Sequence, residues 1–348
     1  LDPRQLMTPP DWAQAREALR QTLRGLDGDV ERQMDALRIF KQSETFRLLA
    51  QDLAGLWTVE KLSDHLSDLA DLLVEATLTL TWASLPGRHR DTPAFAVIAY
   101  GKLGGKELGY ASDLDIVFLH DDPHPDAQEI YAKLAKRLNT WLSTLTPAGH
   151  LYETDLRLRP DGAAGLLVSS TEAFEDYQRS HAWTWEHQAL TRARYVCGDA
   201  AVGKQFDAIR QAVLCQSRDR AKLRGEVLEM RQKMHDGHPN PSALFDLKHD
   251  AGGLVDLEFA VQYLVLAEAA AHPEMTANVG NIALLKRASE LGLVPADLAL
   301  PAADAYRELR RLQHQTKLQG EDYARVEPAL VAETAAAVKR LWQAVFGP

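Results

Sequence analysis

The chain has 348 residues, 46% of them hydrophobic and 25% charged, with a formal net charge of −10. That length exceeds what one hydrophobic core usually serves, so two or three domains are expected, and the composition excludes a disordered chain. No apolar run approaches the ~18 residues of a membrane span, and the acidic balance argues against a protein built to grip nucleic-acid phosphates. Leu1-Asp2-Pro3-Arg4 shows neither an initiator methionine nor a signal pattern, so the chain reads as a fragment or processed product. Cys197 and Cys215 have no metal-ligand spacing and form no disulfide framework, which suits a cytoplasmic setting.

In chain order, residues 11–85 read as helical. Leu62, Leu66, Leu69, Leu73 and Leu80 recur at roughly helical spacing between Val59 and Leu85. Residues 85–93 (LPGRHRDTP) break the pattern as a linker. Ala94 to Tyr100 suits a buried strand, a glycine-rich turn follows, and Leu114 to Leu119 reads as a second buried strand. Ile130, Leu134, Leu138, Leu142 and Leu145 mark an amphipathic helix, ended by Gly149. Leu151 to Leu158 reads as a third strand, stopped by Pro160. From about Lys204 to Phe346 the pattern is helical, most clearly over Val255–Ala270 and Ala302–Leu318, with a loop at Pro239 and Pro241. The expected fold class is α+β. A helical N-terminal segment (1–90) and a C-terminal helical bundle (204–348) flank a small α/β catalytic unit (91–203).

Asp113 and Asp115 stand at the start of the second strand, and residues i and i+2 of a strand share a face. Two carboxylates held close repel unless a cation lies between them. Magnesium suits the place, because it takes carboxylate oxygens and keeps positions for phosphate and water. Asp-x-Asp is also common in surface turns, but Ile116-Val117-Phe118-Leu119 carries this pair into a buried strand. Gly101 precedes it in the spacing G-x11-D-x-D, with Gly104 and Gly105 in the same turn. Such a turn lets backbone N–H groups approach phosphate, and Lys102 and Lys106 add charge. The pattern is neither a Walker A loop nor G-x-G-x-x-G.

If the third strand persists, Glu153, Asp155, Arg157 and Arg159 share one face. Such a stripe is either a self-neutralised ladder on an exposed edge or the wall of a cleft. In a cleft, Asp155 completes a three-carboxylate metal site and the arginines meet triphosphate oxygens. Elsewhere the residues leave alternatives open. Trp183 to Gln188 reads as core packing. Asp256 and Glu258, after Gly252-Gly253, either reach nucleotide or metal or cap a helix. Lys248 reads as a phosphate or base contact, or a solvated lysine. His235 and His238 read as surface residues.

The order glycine turn, Asp-x-Asp, third Asp resembles the polymerase-beta-like nucleotidyltransferases. The longer stretches 101–122 (GKLGGKELGYASDLDIVFLHDD), 151–170 (LYETDLRLRPDGAAGLLVSS), 172–196 and 245–266 resemble the glutamine-synthetase adenylyltransferase family, as do Ala36–Gln42 and Ser63–Leu66. The resemblance spans nearly the whole chain. Full-length members carry two such units, one attaching AMP and one removing it by phosphorolysis. GYASDLD and Gly162–Gly165 are similar to the adenylylating unit.

The resemblance implies transfer of AMP from ATP to a tyrosine of glutamine synthetase, with two magnesium ions on Asp113, Asp115 and Asp155. Gly101, Lys102, Gly104, Gly105, Ser112, Arg157, Arg159 and Lys248 would bind the nucleotide, and Asp155 would accept the tyrosine proton. It also implies control by glutamine and the PII signal protein. Three readings compete: AMP removal, a nucleic-acid or small-molecule nucleotidyltransferase, and a non-enzymatic nucleotide sensor. The last is disfavoured by the intact aspartates.

Overall fold

Helix α1 (Trp12–Arg24) begins where Asp11 accepts hydrogen bonds from the N–H groups of Ala13 and Gln14. Helix α2 (Val30–Leu53) begins at Asp29, bonded by the Arg32 N–H, and α3 (Val59–Ala83) at Thr58, bonded by the Lys61 N–H. Each cap satisfies a donor that the first helical turn leaves open. Leu62, Leu66, Leu69 and Leu73 of α3 are buried, and Leu80 is half-buried. The computed structural model describes residues 6–278 and 280–347.

A mixed sheet follows. Strand β1 (Phe95–Ala99) is buried at every position and pairs antiparallel with β2 (Leu114–His120), Phe95 opposite His120 and Ala99 opposite Ile116. Between them lies a single helical turn, α4 (Gly101–Gly104). After β2, helix α5 (Ala127–Ser143) returns the chain to a parallel strand on the far edge of β2. That edge is shared by β3 (Thr154–Asp155), against Leu114 and Asp115, and β4 (Val168–Ser170), against Phe118 to His120. Helices α6 (Thr171–Ser180) and α7 (Thr184–Leu190) lead to β5 (Arg194–Gly198), antiparallel to the other side of β1.

The chain divides into two compact units, 1–177 with 194–208, and 178–193 with 209–348. This cut differs from the three-part division at residues 90 and 203. The reason is packing: Leu62, Leu66 and Leu69 share one apolar core with Phe95, Leu114 and Leu138, so the N-terminal helices and the sheet cohere.

The expected strand 151–158 is shortened to two residues. Asp155 Oδ1 accepts the Arg157 N–H at 2.8 Å, and this local side-chain bond turns the backbone away from the ladder. Strands β4 and β5 and helices α6 and α7 lay outside the sequence expectations.

The first unit ends in α8 (Ala200–Leu214), whose last residues begin the helical part of the second. There α9 (Arg220–Asp236), α10 (Leu254–Glu268), α11 (Asn281–Glu290), α12 (Ala296–Leu318) and α13 (Ala332–Phe346) form the bundle. Helix α10 is apolar around most of its circumference, with Leu257, Ala260, Val261, Val265 and Leu266 buried, as befits a central helix. A two-stranded antiparallel ribbon, β6 (Phe245–Asp246) with β7 (Arg325–Val326), completes this unit. The architecture is α+β. No helix among the described residues is long and apolar enough to cross a membrane.

Candidate active site

Three aspartates converge where β2 begins. Asp115 lies directly opposite Asp155 in the parallel register of β2 and β3, and Asp113 stands two residues ahead on the same side. One carboxylate oxygen from each lies within 4.8 Å of those from the other two, with Asp113 exposed and the other two half-buried. The Leu114 N–H donates to the Glu153 carbonyl at 2.9 Å, and the Tyr100 N–H to the Asp115 carbonyl at 2.8 Å. The segments bearing Asp155 and Gly101 are thus fastened to the one bearing the Asp pair.

Gly101 closes the site. Its φ is +54°, and a Cβ placed there would lie 2.1 Å from Asp115 Oδ2 and 2.9 Å from its Cγ. The position is restricted to glycine twice, by backbone conformation and by the carboxylate against it. Gly104 and Gly105 donate their N–H groups to the carbonyls of Tyr100 and Gly101, closing the α4 turn. Lys102 is carried on that turn. Lys106 pairs instead with Asp68 of α3 at 2.9 Å. The Ser112 hydroxyl accepts the Gly109 N–H at 3.0 Å and shapes the turn entering β2.

Arg157 is the cation of the cluster. Its Nε lies 3.0 and 2.9 Å from the two oxygens of Asp155, and its Nη2 lies 2.5 Å from Oδ2. That hydrogen bonding holds the Asp155 carboxyl below the usual carboxylate range. The Arg157 side chain is itself 78% exposed. Arg159 follows a different course: its guanidinium donates to the carbonyls of Leu156, Ala163 and Gly165 and stitches the loop 156–165 together. The alternating stripe therefore dissolves once the strand ends, and Glu153 faces His150 at 3.4 Å.

The remaining candidates belong to the second unit. Lys248 is exposed in the turn after β6, its N–H donated to Asp246 Oδ1 at 2.9 Å. Asp256 sits in the first turn of α10, bonded by Arg231 Nε at 2.5 Å and by the Gly252 N–H at 2.6 Å. Glu258 accepts from the Tyr306 hydroxyl at 2.9 Å and pairs with Arg192 at 3.3 Å. Both acids thus have structural partners. The core reading of the tryptophan motif is corrected: Trp183 is 70% exposed and Trp185 37%, while Glu186, His187 and Gln188 are buried. Glu186 accepts the Trp183 N–H at 2.9 Å and caps α7, which leaves both rings outside. His235 and His238 are exposed, and His238 stacks on His249 with centroids 4.1 Å apart.

Two residues of the 36–42 segment emerge only in the structure. Arg38 is fully buried, and Lys41 lies with its ammonium 4.1 Å from the centre of the Tyr152 ring. The available sign was a pair of cations, three residues apart, flanking Ile39-Phe40 within a helical stretch.

A family model described as glutamate-ammonia ligase adenylyltransferase matches residues 1–209. One described as GlnD PII-uridylyltransferase matches residues 221–325. The bifunctional glutamine synthetase adenylyltransferase/adenylyl-removing enzyme of Aromatoleum aromaticum is 60% identical over 347 residues, covering 100% of this chain and 37% of that protein. The proteins of the same name from Bordetella bronchiseptica and Chromobacterium violaceum are 58% and 55% identical, over 99% of this chain and 37% and 38% of theirs. The chain thus spans about 37% of the length of these curated relatives. With most of its length matched by the first model, the chain belongs to the glutamate-ammonia ligase adenylyltransferase family.

Proposed function

We propose that this chain is the adenylyltransferase part of a larger enzyme, moving AMP from ATP onto a tyrosine of glutamine synthetase and releasing pyrophosphate. The observation that carries the reading is the three-carboxylate cluster against the Gly101 turn. Family membership supplies the substrates. The donor set suits magnesium: hard carboxylate oxygens, grouped within 4.8 Å, with an exposed member leaving a face open to phosphate and water. Asp113, Asp115 and Asp155 would hold two such ions, which when bound supply charge neutralisation and Lewis acidity at the α-phosphate.

The other steps fall to the chain's own groups. Gly101 leaves room for Asp115 and for the close approach of phosphate. Arg157, exposed and bonded to Asp155, swings to the triphosphate, which its planar fork suits. Asp155, released from that bond, accepts the proton of the tyrosine hydroxyl, whose ordinary pKa of about 10 makes assistance necessary at neutral pH. Arg159 keeps the 156–165 loop in shape, and Lys102 is a nucleotide contact in the same reading. Control by glutamine and the PII protein, a cytoplasmic setting and a role in restraining nitrogen assimilation rest on family membership alone.

The test uses ATP labelled in its α-phosphate, with magnesium and unmodified glutamine synthetase. Label on a tyrosine, with stoichiometric pyrophosphate, is the expected result. Release of AMP-derived label from adenylylated glutamine synthetase by inorganic phosphate, with no forward transfer, would assign the chain to the opposite reaction.

A further inference from the structure

Strand β3 holds Asp155 with only two paired residues, too few to fix a register unaided. The segment leading into it, residues 144–153, has little repetitive structure of its own. What holds it is a row of side chains on α2. Arg38 Nη2 donates to the carbonyls of Trp141 at 2.9 Å and Thr144 at 2.5 Å, and its Nε to that of Gly149 at 3.0 Å. Gln42 Nε2 donates to the Ala148 carbonyl at 2.6 Å, and Asp35 accepts the Thr146 hydroxyl at 2.6 Å. Lys41 Nζ donates to the Leu151 carbonyl and lies over the Tyr152 ring. Tyr152 is buried, with its N–H donated back to the Leu142 carbonyl at 2.9 Å.

We propose that Arg38 and Lys41 are positioning residues for the reaction: they set the 144–152 segment, and through it the place of Asp155 against Asp113 and Asp115. This rests on the reading of the three aspartates as the metal site. Arg38 fixes the end of α5, whose last carbonyls have no partner within the helix, and the Gly149 bend. Lys41 acts nearest the site. Its bond ends at Leu151, two residues before the Glu153 carbonyl that opens the β2–β3 pairing. Both are charged donors to neutral carbonyls, stronger and more directional than amide contacts. Removing such a hold leaves the carboxylate in place chemically and misplaces it geometrically. Errors of about 1 Å in a reacting constellation cost on the order of 100-fold in rate.

The deciding measurement is Mn2+ affinity, by electron paramagnetic resonance with a non-hydrolysable ATP analogue, alongside thermal unfolding and AMP-transfer kinetics. Lys41→Met is expected to lose roughly 10- to 100-fold in Mn2+ affinity, as outer supports of metal ligands do, while remaining folded. Its kcat should fall with KM for glutamine synthetase unchanged, and Lys41→Arg should restore most of both. Gln42→Leu, at an exposed position, repeats the affinity test with a milder loss if Lys41→Met does not fold. Wild-type Mn2+ affinity in folded Lys41→Met, or in Gln42→Leu where that serves as the test, overturns the proposal. A wild-type chain that binds Mn2+ tightly without transferring AMP, beside variants that bind weakly, leaves the positioning role standing and removes the proposed activity.

Discussion

At Gly101, one hydrogen atom decides whether the carboxylate cluster can exist. The Cβ of Gly101→Ala would meet Asp115 Oδ2 at 2.1 Å, with the backbone at φ +54° adding about 1–2 kcal/mol of conformational cost. We expect this variant to stay folded and lose about 100-fold or more in AMP transfer, since displaced carboxylates no longer converge. Wild-type turnover in Gly101→Ala would remove Asp115 from the site. Arg157 gives a prediction of the opposite sense. Its guanidinium occupies Asp155 at 2.5–3.0 Å and so competes with a cation there. Arg157→Ala should therefore bind Mn2+ several-fold more tightly without nucleotide yet turn over ATP more slowly, by roughly 10- to 100-fold for a lost phosphate contact. Titration calorimetry and initial rates measure the two effects separately. The aspartates were legible because Asp-x-Asp enters an apolar run. The partners of Asp256 were not, because Arg231 lies 25 residues away and spacing says nothing of contacts made by folding.

Helix α3 and the two central strands were readable for the same reason: each repeats its apolar residues with its own period, and burial follows that repeat. Leu73 of α3 is fully buried in the shared core. Leu73→Ala should cost about 2–5 kcal/mol, read as a lowered urea midpoint at unchanged slope. An effect below about 0.5 kcal/mol, typical of surface positions, would show that α3 is not packed on the sheet. Strand β3 escaped the sequence reading in its length. The alternation of residues 151–158 favours a strand, but the Asp155 side chain bonds the Arg157 N–H, and a local bond overrides a period-two pattern. The arginines were consequently placed on a common face that the backbone does not build.

At the scale of the whole molecule, the second unit carries a buried group that makes stability depend on pH. In the second unit His187 is buried, its Nε2–H donated to the Gln178 carbonyl at 2.8 Å and its Nδ1 accepting from Arg218 at 3.0 Å, an arrangement that fits the neutral ring. Burial first, and the Arg218 charge second, lower its pKa to about 4. Between that value and the ordinary 6.5, the unfolded imidazole binds a proton that the folded one refuses. Stability is therefore full above pH 6.5 and falls as pH drops toward 4, by up to roughly 3 kcal/mol from this group. Urea unfolding of His187→Gln at pH 5 and 7 should show a smaller pH difference than the parent chain; an equal difference would contradict a buried neutral histidine.

In the proposed reaction Asp113, Asp115 and Asp155 act together in moving AMP to a tyrosine. The most direct test is mass spectrometry of glutamine synthetase after incubation with ATP, magnesium and either the parent chain or a folded Asp113→Asn/Asp115→Asn variant, with glutamine and PII protein present. One AMP on a tyrosine is expected with the parent chain and none above background with the variant. Equal modification by both, or none by either, would contradict it.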